Sequence, residues 1–127
     1  MSLTAKTAFA IDPFAVRALD VPSGQPIQLH DVLIDEVGSE SWLRFRFLAP
    51  EIARDRGTIS FAQAEPDLEH LCTQVALPYM AEFDIEAEIV SVVLLDKPVE
   101  FGVSDPEATQ FNDVFRVNSG ACVWEGI

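Results

Sequence analysis

The sequence predicts an α+β domain: a mostly antiparallel sheet of about five strands with one main helix packed on one face. Three observations predict it. Pro66–Leu77 carries apolar residues at helical spacing: at about 100° per residue, Leu68, Leu71, Cys72, Val75 and Ala76 share one face, and Asp67, Glu69, His70, Thr73 and Gln74 fall on the other. Nearly every other apolar stretch alternates with period two, or is a short continuous block of strand length. The elements do not alternate as βαβαβ, which argues against a doubly wound parallel sheet.

Taken in order, residues 1–25 form an N-terminal extension and residues 26–127 a single domain. Met1-Ser2-Leu3 has the character of an expression-vector start, so a missing leader here is not evidence for the cytoplasm. Asp12-Pro13 caps a short helix over Phe14–Leu19, and Pro22-Ser23-Gly24-Gln25-Pro26 is a loop by composition. Ile27–Val37 is the first strand. Its alternation slips phase through Val32, Leu33 and Ile34, which predicts a bulge near His30–Asp31. Gly38-Ser39 turns the chain into Ser41–Leu48, where Leu43, Phe45 and Phe47 point one way and Trp42, Arg44 and Arg46 the other.

Pro50–Gly57 is a polar loop or single turn, and Thr58–Ala64 a short strand or the approach to the helix. Pro66 suits the first helical position, Asp67 and Glu69 favour the positive end of the helix dipole, and Pro78 ends the helix. Tyr79–Asp84 connects to Ile85–Leu95, a strand apolar on both faces by its end and therefore central. Val99–Val103 reads as a short edge strand after Pro98. Asp113–Val117 and Ala121–Trp124 flank Asn118-Ser119-Gly120, a hairpin signal with glycine available for positive φ.

Composition narrows the function. The chain has 127 residues, 21 acidic against 8 basic, and a formal net charge of −13. That surface repels phosphate backbones and anionic lipid, so neither nucleic acid nor membrane is an expected partner, and no apolar run reaches the ~20 residues of a spanning helix. A protein or a small molecule remains as partner.

No cofactor or metal is expected. The two histidines, His30 and His70, stand forty positions apart, no HExxH, CxxC or EF-hand string occurs, and the six glycines form no phosphate-binding pattern. Asp31, Asp35, Glu36 and Glu40 are close in sequence but split between strand faces.

His70 and Cys72 lie about 160° apart around the helix and cannot form a nucleophile pair there. No catalytic residue is assigned. An enzyme would need His30, Glu100 or Cys72 to converge in a pocket between helix and sheet. Glu100, between apolar Val99 and Phe101, would then find a donor in Arg44, Arg46 or Arg116. Trp42, Arg44 and Arg46 form a candidate binding surface, since Trp and Arg are enriched in interface hot spots. An open sheet face or edge would also serve self-association. Cys72 and Cys122, the only cysteines, either pair or remain two buried thiols.

Several strings together carry a resemblance: PSGQPIQLHDVL at 22–33, RFRFLAPEI at 44–52, DLEHLC at 67–72, DKPVEFGV at 96–103, TQFNDVFRV at 109–117 and CVWEGI at 122–127. They resemble a family of short, uncharacterised alphaproteobacterial proteins, a domain of unknown function. The resemblance implies an export leader and a disulfide between Cys72 and Cys122, hence a periplasmic or exported location over a cytoplasmic one. Some relatives carry an automatic label of acetolactate synthase. This chain contradicts that label, because it is too short for a multi-domain thiamine-diphosphate enzyme and lacks the GDG…NN string. The expectation is a small, acidic, exported, non-enzymatic domain that binds a protein or small ligand.

Overall fold

The structure, a computed structural model, describes residues 19–125. The vector-like start at Met1-Ser2-Leu3 and the expected helix over Phe14–Leu19, except its last residue, lie outside the described residues. Five strands make one sheet in sequential order: β1 (Gln28–Val37), β2 (Glu40–Leu48), β3 (Ile89–Leu95), β4 (Gln110–Asn118) and β5 (Ala121–Trp124). Three of the four pairings are antiparallel, and β2 and β3 run parallel. The helix therefore serves as the crossover between two parallel strands, a connection that parallel pairing requires.

Each hairpin follows its local chemistry. β1 and β2 join through Gly38 at φ 64°, and their register shifts between Leu29 and Asp31, where the phase slip predicts a bulge. β4 and β5 join through two residues, Ser119 at φ 52° and Gly120 at φ 77°. Positive φ at both central positions matches the twist of a tight hairpin. β3 is buried along its whole length, as its apolar run predicts. It starts at Ile89 rather than Ile85, and β4 starts at Gln110 rather than Asp113. Val99–Val103 is not a strand: it belongs to a loop closed at its base by the Asp96 and Thr109 backbones, with Gly102 at φ 86°.

The helix is longer than its apolar stripe. α1 (Phe61–Leu71), a π-helical turn (Cys72–Ala76) and α2 (Leu77–Glu82) run on continuously for 22 residues. Ser60 caps it, accepting from the Gln63 N–H while the Gln63 side chain accepts from the Ser60 N–H. This Ser-x-x-Gln capping box stands openly in the sequence, its serine six positions before Pro66.

Pro66 is inside the helix, not at its first position, and Pro78 does not stop it. A proline removes one i→i−4 bond and pushes its ring toward the carbonyl four residues back. The wide turn just before Pro78, where the Leu77 N–H reaches the Cys72 carbonyl, supplies the room.

The helix covers the face of the sheet that carries Leu43, Phe45 and Phe47 on β2 and Val90, Val92 and Leu94 on β3. Leu68, Leu71, Cys72, Val75 and Ala76 enter this core, as the periodicity predicts. Asp67 departs from it. Expected on the polar face, its side chain is fully buried. Its carboxylate accepts from the Ser23 N–H at 2.9 Å, the Ser23 hydroxyl at 2.5 Å and the Gln25 amide at 2.8 Å. Three donors compensate a desolvated acid, and the contact locks residues 19–27 onto the helix. Leu19, Val21 and Ile27 join the core there.

Candidate functional site

The side chains that an enzymatic reading needs do not come together. His30 projects into solvent at the bulge of β1, and Glu100 is exposed in the loop after β3. Cys72 is fully buried, and its sulfur is bonded to Cys122, with the two Cα atoms 6.3 Å apart. Glu100 has no arginine donor among the described residues. Arg46 reaches past it to the carbonyl of Val99.

On the sheet face away from the helix, Trp42, Arg44 and Arg46 form a layer closed by their own neighbours. Arg46 meets Asp31 with two parallel bonds of 2.8 and 2.7 Å and donates a third to Val99 O at 2.8 Å. Its side chain is only 7% exposed. Arg44 pairs with Asp35 at 3.1 Å and stacks on Trp42 at 4.9 Å. Phe101 lies 5.6 Å from both guanidinium groups. Arg116 bridges Glu40 at 2.8 Å and Glu125 at 2.7 Å, and these hydrogen bonds, first to Glu40 and then to Glu125, hold its guanidinium above the usual arginine range. The β1–β2 register sets Asp31 opposite Arg46 and Asp35 opposite Trp42, so alternation puts these acids and cations on one side.

A different surface is left open. The helix meets the β4–β5 end of the sheet at the Cys72–Cys122 bond but leaves Trp124 of β5 exposed. Between them lies a groove of about 460 Å³, walled by Ala62, Glu65, Pro66 and Glu69 of α1 and floored by Asp113 and Phe115 of β4 and Trp124 of β5. The spacing of the wall residues, i, i+3, i+4 and i+7, is one helical stripe beside the buried one. Phe115 pairs with Trp124 and Val117 with Cys122, so Trp124 and Cys122 share the helix-side face of β5. Cys72 continues the Glu65–Glu69 row by one more turn. The disulfide therefore ties together the two walls of the groove.

Charge in the groove is one-sided. Asp113 accepts from the Trp124 indole N–H at 2.9 Å, which fixes the ring. Glu65 and Glu69 have no side-chain hydrogen bond or ion pair among the described residues. Trp124 is 58% exposed.

Sequence reasoning missed this site. The available signal was the hairpin: once Cys122 faces the helix, Trp124 and Asp113 must face it too. Among the described residues no cluster of three or more metal-ligating side chains occurs.

A second depression of about 580 Å³ lies between Pro50–Arg56 and the Asp96–Glu107 loop. Its cations are engaged: Arg54 donates to the carbonyls of Pro106 and Ala108, and Lys97 lies 3.8 Å from both Asp105 and Glu107. Among the described residues, no helix is long and apolar enough to cross a membrane.

A family model described as a family of unknown function matches residues 3–127. No curated protein matches the chain, and no solved structure does.

Proposed function

The chain belongs to that family of unknown function, DUF6497, and we propose that it is a non-catalytic binding domain that works in an oxidising, extracytoplasmic compartment. The observation that carries this reading is the Cys72–Cys122 disulfide, which joins the buried face of the helix to the last strand. Disulfides persist in secreted and periplasmic proteins and are rare where thiols are kept reduced. They are also favoured where a small domain has a limited core. Binding is favoured over catalysis because His30 and Glu100 face solvent, Cys72 is spent in the bond, and the groove beside the helix presents carboxylates and aromatic rings in an open trough.

Thiol titration of the denatured but unreduced protein tests the compartment. The expected result is no reactive thiol before reduction and two afterwards, since the chain has two cysteines. Two free thiols before reduction would remove the bond and the argument for export with it.

A further inference from the structure

We infer that the groove between α1 and the β4–β5 hairpin takes a lysine- or arginine-bearing extended segment of a partner protein. This rests on the reading of the domain as a binding module, but not on its compartment. Three features select a cation. Glu65 and Glu69 project from consecutive turns of one helical stripe with no cationic partner among the described residues. Asp113 is already oriented by the Trp124 indole, which keeps one carboxylate oxygen toward the ring and the acid in place on the groove floor. The exposed Trp124 ring offers its negative face to an ammonium or guanidinium group.

Two further features select an extended chain over a small ion. The wall from Ala62 to Glu69 spans seven residues of helix, about 10 Å, the length of about three residues of extended peptide. The trough is also greasy as well as acidic: Ala62, Pro66 and the exposed Trp124 ring accept the apolar stem of a lysine or arginine while its head reaches the carboxylates. The net charge of −13 adds long-range attraction for such a partner, and a test must separate that from the groove itself.

The experiment is fluorescence anisotropy of a dye-labelled, end-blocked pentalysine with the oxidised full chain at 0.15 M salt, where screening over about 8 Å suppresses diffuse attraction. Saturable binding is expected. Glu65→Gln with Glu69→Gln should weaken it about tenfold. Glu82→Gln with Glu86→Gln, an equal change of net charge at exposed positions outside the groove, should change it less than about twofold. Trp124→Leu should weaken it about threefold, the scale of one exposed cation–π contact.

Equal losses in the two double variants, or no saturable binding by the parent chain, would overturn the proposal. So would lysinamide competing as tightly, mole for mole, as pentalysine, since a single small cation would then suffice. All of the substituted acids are exposed, so folding is not at issue. Binding by a chain that titrates with two free thiols would sink the export reading and leave the groove standing. A fully bonded chain that does not bind would do the reverse.

Discussion

The two faces of the sheet are hidden by different means. On one, the helix presses Leu68, Leu71 and Val75 against Leu43, Phe45, Val90 and Val92, and almost nothing polar enters. On the other, β3 is equally buried, but its neighbours are Trp42, Arg44, Arg46 and Arg116, each arginine held by one or two carboxylates. The first face gains from removing apolar surface from water, and the charge it buries, Asp67, is offset by the Ser23 and Gln25 donors. The charge pairs on the second add little net energy, because pairing charges at a partly wet surface roughly returns what their hydration was worth. What the charged face supplies is register. Asp31 and Asp35 reach their arginines only in the bulged alignment of β1, and a one-residue slip would turn them to the opposite side.

This contrast can be broken at graded cost. Leu71→Asp places an unpaired charge in the dry face and should destabilise by more than about 4 kcal/mol, enough to abolish a cooperative melt. Retention of the parent melting temperature would mean that the helix face is wrongly placed. Removing the staple with Cys72→Ala and Cys122→Ala should cost about 3–4 kcal/mol in denaturant titrations, because it frees a loop whose ends are 50 positions apart. Asp67→Ala strands the Ser23 and Gln25 donors and should cost about 3 kcal/mol, with amide exchange of residues 19–27 rising more than that of β3.

On the charged face the effects should be smaller. Arg46→Met combined with Asp31→Leu should stay within about 1 kcal/mol of the parent, since an apolar pair often replaces an ion pair without loss. Arg44→Ala should cost less than about 1 kcal/mol and lose even that in high salt. If the Arg46–Asp31 replacement destabilised the chain as much as Asp67→Ala, the charged layer would be a second core rather than a register device.

The same contrast explains which parts of the site were legible in the chain. Alternation in Ser41–Leu48 separated Trp42, Arg44 and Arg46 from Leu43, Phe45 and Phe47, because the pleat assigns faces with a period of two whatever surrounds the strand. It could not say that Asp31 and Asp35 would occupy the guanidinium groups, since those partners depend on the bulge and on which strand lies alongside. Glu100 looked enclosed because Val99 and Phe101 flank it. In the structure that stretch is a loop, and the Val99 carbonyl makes the contact with Arg46. The groove was invisible for a related reason: Glu65 and Glu69 resemble any solvated helix face until β4 and β5 are set beside them.

By itself the sequence determined the helix stripe, the alternation of β2, the doubly buried β3 and the glycine-bearing hairpins. All of these follow from periodicities and turn chemistry acting over a few residues. Only the tertiary structure decided that β2 and β3 run parallel, that Asp67 is an interior anchor, that the helix continues through two prolines, and that Cys72 meets Cys122 at the end of an acidic trough. Each of these depends on groups far apart in the chain. A backbone chooses its pairing direction, and a buried acid its donors, only when packing brings the distant segment within reach.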